Sequence, residues 1–90
     1  MVTVKVGDKG VLPYALAAME HFRAGEDVIE FVARGNVINN AVNAANMVAT
    51  ILSHASITHT LVTTEEVRDG GQVSVIRITL KRDNGSETKP

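Results

Sequence analysis

Apolar residues recur along this chain with a period of two, then of three to four, and then of two again. Val2, Val4 and Val6 alternate with Thr3 and Lys5, the pattern of a strand with one covered face. Gly7, Asp8, Lys9 and Gly10 form a loop. Val11, Leu12, Ala15, Leu16, Met19 and Phe22 follow at helical spacing, with Pro13 where only a first helical turn tolerates it. Gly25 is a C-terminal stop for this helix. Residues 28–33 are rich in β-branched residues and read as apolar on both faces, which predicts an interior strand. Arg34, Gly35 and Asn36 make a turn, and Asn36 is a candidate cap for a second helix reaching Leu52. Residues 56–68 and 72–82 are two further strands, joined at Asp69-Gly70-Gly71, where glycine supplies the positive φ of a hairpin turn.

The order β-α-β-α-β-β predicts an α+β two-layer sandwich, a four-stranded mixed sheet with two helices on one face. The first crossover is then right-handed. One domain over 1–82 is expected, with the hairpin projecting at about 64–76 and a polar tail over 83–90.

On a wheel of about 100° per residue, Asn36, Asn39, Asn40, Asn43, Asn46 and Thr50 fall within one band of the second helix. The rest of its circumference is apolar, too wide an arc for a helix lying on a single sheet. The sheet covers one side; the first helix or a second subunit covers the other. Ala41, Ala44, Ala45 and Ala49 permit close helix approach. Asparagine is a poor residue inside a helix because its amide competes for backbone hydrogen bonds. The stripe is either a solvated polar face or a row of amides with a partner, across a dimer seam or on phosphate and nucleotide edges.

Composition narrows the chemistry. Ninety residues leave room for one hydrophobic core. With no Cys, disulfides, thiol nucleophiles and thiolate metal sites are excluded. His21, His54 and His59 share no helical ligand spacing, the adjacent acids Glu26-Asp27 and Glu65-Glu66 diverge on a strand, and no serine sits in an elbow motif. No enzyme, metal or cofactor is expected. The longest apolar-rich stretch is interrupted by Asn and the N-terminus has no signal-peptide pattern, so a cytoplasmic location without membrane contact is expected. Aromatic residues are 3%, too few for a base-stacking platform. Nine Lys+Arg against ten Asp+Glu give a net charge of -1, against a strongly basic nucleic-acid binder. The charges are uneven: residues 35–64 contain no Asp, Glu, Lys or Arg. Such a run is expected to be covered, by the domain's own core or by another subunit. Lys9, Arg34 and Arg68 are the basic residues that the topology can bring together.

Residues 6–16, Val-Gly-Asp-Lys-Gly-Val-Leu-Pro-Tyr-Ala-Leu, resemble the start of Alba-family chromatin proteins, Ile-Gly-Lys-Lys-Pro-Val-Met-Asn-Tyr-Val-Leu. Residues 33–42, Ala-Arg-Gly-Asn-Val-Ile-Asn-Asn-Ala-Val, are similar to that family's Ala-Arg-Gly-Arg-Ala-Ile-Ser-Arg-Ala-Val. Thr64-Glu65-Glu66, Asp69-Gly70 and the closing β-run resemble its hairpin, so the likeness runs from about Val4 to Lys81.

The resemblance implies a chromosome-associated homodimer that binds double-stranded DNA, and RNA as well, largely without sequence preference. Lys9 and Arg34 would contact phosphates from the body and Arg68 from the arm, with Asn36 and Asn40 standing where the family carries basic residues. In some archaeal members a lysine of this loop pair is acetylated, which removes a charge and weakens binding; Lys9 is the matching modification site. The small and apolar residues Ala41, Ala45, Val48, Ile51 and Leu52 are the candidate dimer interface, Ile51 near the family's dimer–dimer contact. Asp8, Asn36, Asn40 and the acids Glu65, Glu66 and Asp69 depart from the basic pattern. Three cations per subunit give about six phosphate contacts and a salt slope of about -5, less whatever the acids subtract. The rival reading is a protein-interaction subunit that pairs with a more basic Alba-like paralogue and has little nucleic-acid affinity of its own.

Overall fold

A computed structural model describes residues 1–83. Its elements are β1 (Val2–Lys5), α1 (Leu12–Arg23), β2 (Val28–Arg34), a 3₁₀ turn (Gly35–Val37), α2 (Ile38–Ile51), β3 (Ala55–Glu66) and β4 (Gln72–Arg82). The sheet order is β1-β2-β4-β3; β1 runs parallel to β2, and the other pairs are antiparallel. This is the mixed four-stranded sheet with two helices on one face that the periodicities predict. Beyond Asp83, the expected polar tail lies outside the described residues.

Alternation decides which side of each strand is covered. Ile29, Phe31 and Ala33 of β2 point to the helices and are buried, as are Ile76, Ile78 and Leu80 of β4. Ala15, Ala18 and Phe22 of α1 meet them, together with Ala41, Ala44, Ala45 and Val48 of α2. The wide apolar arc of α2 is therefore satisfied inside one chain: β2, β4 and β3 take one side and α1 the other. Three buried alanines in α2 let the helix lie close to both neighbours.

One expectation is revised. Asn36 does not cap α2, because the chain leaves Arg34 through a 3₁₀ turn and the helix begins at Ile38 with no side-chain cap. Within the single chain, the uncharged run is buried chiefly on the core-facing side of α2, which leaves its second half to the alternative of cover by another subunit. In β3 every residue after Ala55 is exposed in the single chain, including Ile57, Leu61 and Val62. That strand pairs only with β4, and β2 stops pairing β4 at Arg34–Val75. The outer part of the hairpin is thus a two-stranded arm, and the chain is drawn out to 54 × 22 × 19 Å.

Arg82 closes the opposite end of the fold. Its backbone N–H donates to the Asp27 carbonyl at 2.9 Å. Its guanidinium donates to the Phe22 carbonyl and to the Asp27 carboxylate, and lies 6.0 Å from the Phe22 ring centroid. One side chain thus joins the end of β4 to the end of α1 and the start of β2. Arg82→Ala is expected to lower stability by about 1–2 kcal/mol through lost hydrogen bonds and ring contact. Thermal denaturation should show the midpoint roughly 5–10 °C lower.

Candidate nucleic-acid interface

Because β1 and β2 are parallel, their C-terminal ends share one end of the sheet, and the chain enters α1 and α2 there. The two helix N-termini bring partial positive charge to that end. Arg34 is the last residue of β2 and lies on the sheet face without helices. Gly35 follows at φ +65°, and a Cβ built on it would sit 3.3 Å from the Val73 side chain. The left-handed turn favours glycine, and the Val73 side chain leaves little room for a Cβ. The turn separates Arg34, on the open face, from α2, beneath the other.

Asn36 is exposed within the 3₁₀ turn. Asn40, half-buried on α2, donates from Nδ2 to the Gly7 carbonyl at 3.0 Å. This bond fastens the β1–α1 loop, with exposed Asp8 and Lys9, to the start of α2. The fold therefore brings Lys9, Arg34, Asn36 and Asn40 to one end of the body. Arg68 is not among them. It is exposed at the tip of the arm, in a turn closed by the Val67 N–H to the Gly71 carbonyl at 2.9 Å and by the Asp69 carboxylate on the Gly71 N–H at 3.2 Å.

Asn39, Asn43, Asn46 and Thr50 are exposed along α2. Their stripe is a solvated face in the single chain, and Asn40 is the member that has found a protein partner. Of the candidate interface residues, Ala41, Ala45 and Val48 are completely buried in the chain's own core and offer no surface to a second subunit. Ile51 is 57% exposed and Leu52 is half-buried. The small residues serve the packing of α2 on sheet and α1 instead.

Arg34 does not stand free. Its Nη2 lies 3.1 Å from Glu65 Oε1, across from β2 to the base of the arm. Both side chains are about half exposed, so the pair itself stabilises the fold by at most about 1 kcal/mol. Nearby, Arg77 Nη1 lies 3.3 Å from Glu30 Oε1. Lys5 and Arg77 escape a reading by periodicity alone. Each reads as an outward residue of its strand, but only the β1–β2–β4 register sets both beside Val32. Among the described residues, no group of His, Asp and Glu is placed to hold a metal ion, and no helix is long and apolar enough to cross a membrane.

The family model for Alba matches residues 2–67. The chain belongs to the Alba family. A DNA/RNA-binding protein Alba from Methanocella arvoryzae is 38% identical over 82 residues, covering 86% of this chain and 85% of its own. A DNA/RNA-binding protein Alba 2 from Methanopyrus kandleri is 42% identical over a shorter stretch, 50% of this chain and 48% of its own. Among solved structures, Alba from Thermoplasma volcanium superposes with a TM-score of 0.81 at 31% identity, covering 89% of this chain and 99% of that one. ALBA1 from Trypanosoma brucei shares the fold, with a TM-score of 0.76 at 21% identity over 94% and 72% of the two chains. The Alba match includes the β1–α1 loop, the Arg34 turn, α2 and β3, so it covers the body cluster.

The two kinds of asparagine on α2 should respond in opposite ways. Asn40→Ala frees the Gly7 carbonyl and is expected to cost about 1 kcal/mol. Asn43→Ala, on the solvated stripe, is expected to stabilise by roughly 0.5 kcal/mol through helix propensity alone. Chemical denaturation of the two variants separates the assignments.

Proposed function

We propose that this protein is a homodimeric, chromatin-type nucleic-acid-binding protein that holds double-stranded DNA, and RNA as well, through the phosphate backbone without reading sequence. The observation that carries the reading is the bond from Asn40 to Gly7. It sets the Lys9 loop against the start of α2, beside Arg34 and two helix N-termini. The relatives named DNA/RNA-binding protein Alba support the same reading. In this account Lys9 and Arg34 meet phosphates from the body, Arg68 meets them from the arm, and Asn36 donates a neutral hydrogen bond. Asn40 positions the loop. Lys9 is the candidate modification site, where loss of charge would weaken binding.

Binding is attenuated relative to basic members of the family. Asp8 adjoins Lys9, and Glu65 already occupies Arg34. Exchange of a carboxylate for a phosphate gains less than capture of a phosphate by a free cation. The protein is chromosome-associated in this reading.

A second copy is the proposed cover for β3. Ile57, Leu61 and Val62 are 37%, 47% and 59% exposed on a strand whose outer edge is unpaired, in the uncharged part of the chain. Ile57 and Val62 lie level with the helix-facing Leu80 and Ile76 of β4, on the side of Ile51 at the end of α2, and make an apolar, uncharged surface of the kind that marks subunit contact; Leu61, level with Arg77, lies on the opposite face. The ion-paired state of Arg34 favours one further reading, in which the same surface takes a more basic Alba-like paralogue that supplies most of the phosphate contacts.

Fluorescence titration of a labelled duplex at low salt should show binding that a Lys9→Ala/Arg34→Ala double substitution weakens at least tenfold, with a shallower salt slope. Equal affinities would remove those residues from the interface. In sedimentation, an Ile51→Asp/Val62→Asp double substitution should reduce the mass from two chains to one. An unchanged mass would place the subunit contact elsewhere.

A further inference from the structure

We propose that Lys5, Arg34 and Arg77 form a phosphate site on the open face of the sheet, and that Glu65 occupies this site in the unbound chain. The proposal rests on the nucleic-acid reading above and names a body contact beyond the β1–α1 loop. The three cations line one cavity of about 370 Å³, and Glu65 closes it from the base of the arm. Register places them. Lys5 and Arg77 are the neighbours of Val32 on either side, each about 5 Å away across the sheet. Arg34 lies two residues further along β2 on the same face, about 7 Å from Val32. Val32 and Val75 also line the cavity, and Val75 is only 2% exposed although it lies on the face away from the helices.

Charge at the site is unevenly settled. Arg77 is held by Glu30 at 3.3 Å, which also accepts a hydrogen bond from Thr3. Arg34 is held by Glu65 at 3.1 Å. Lys5 has no ion pair among the described residues. The cluster therefore keeps a positive excess even with both acids in place. Glu65 is the acid that can leave, because it belongs to the arm and is 47% exposed, whereas Glu30 is only 14% exposed. A phosphodiester arriving here presents two non-bridging oxygens, one to the guanidinium of Arg34 and one to the ammonium of Lys5, where the carboxylate presents a single oxygen to Arg34. The apolar residues beneath suit the C–H face of a sugar. The phosphate could come from a nucleic-acid backbone or from a free small ligand; the site's position beside the body cluster and at the root of the arm favours the backbone.

The test is a double-mutant cycle on a labelled duplex, read as affinity and salt slope. Glu65→Gln should tighten binding about three- to fivefold, the upper range for release of an exposed pair, and steepen the salt slope by about 0.9 per subunit. Glu66→Gln makes the same change of charge on the opposite face of the same strand and should do less. In an Arg34→Ala background the gain from Glu65→Gln should vanish, and Lys5→Ala in the Glu65→Gln background should reverse most of it. An equal gain from both glutamine variants, or a gain that survives loss of Arg34, overturns the site while leaving nucleic-acid binding intact. Absence of duplex binding by both the wild type and Glu65→Gln overturns the functional reading with it. A parallel titration with inorganic phosphate tests the source. If Glu65→Gln gains affinity for free phosphate but none for the duplex, the backbone assignment is wrong.

Discussion

The seating of α2 governs the rest of this structure. Ala41, Ala44, Ala45 and Val48 are fully buried, and helix, sheet and α1 approach one another across side chains that are mostly a single methyl group. Interiors packed to this density do not tolerate a helix that slides or rotates by a residue. The position of α2 therefore dictates where its first turn lies, and with it the Gly35 turn, the exit of Arg34 and the reach of Asn40 to Gly7. The β1–α1 loop is thereby fastened to a helix whose inner face is fully buried. The candidate interface is thus a consequence of core packing, expressed at one end of the sheet.

The electrostatic account follows from the same geometry. A chain with balanced charge can bind a polyanion only by arranging its cations locally, because the long-range field of the whole molecule is close to neutral. Here the arrangement is partly self-satisfied. Glu30 reaches Arg77 from the neighbouring strand and Glu65 reaches Arg34 past β4, so in the proposed function association with phosphate is an exchange of partners. Such exchange releases fewer counterions than first neutralisation does, which is why the proposed function carries a modest affinity and a shallow salt dependence.

Much of the architecture was readable from residue spacing. The period of two in β1, the helical spacing from Val11 to Phe22 and the Asp69-Gly70-Gly71 turn each map onto an observed element with small boundary shifts. The failures have identifiable causes. Asn36 has the chemistry of a helix cap, but the left-handed turn at Gly35 placed it in a 3₁₀ segment before the helix began. Ala41, Ala45 and Val48 have the pattern of a subunit seam. A wheel cannot say which neighbour covers an apolar arc, and α1 and the sheet together took all of it.

What the amino-acid sequence determined by itself was the local conformation and its punctuation: which segments extend, which coil, where glycine must reverse the chain, and which residues carry charge. Those properties depend on a residue and its near neighbours in the chain, so they survive without a tertiary structure. The partnerships were decided only by folding. Arg34 meets Glu65 across 31 positions of sequence, Asn40 meets Gly7 across 33, and Lys5 shares a rung with Arg77 through Val32. The first and the last depend on strand register, in which a shift of one residue sends every side chain to the other face, and the second on the seating of α2. Register was set in turn by the buried faces of β2 and β4, and the charged residues went where those faces left them.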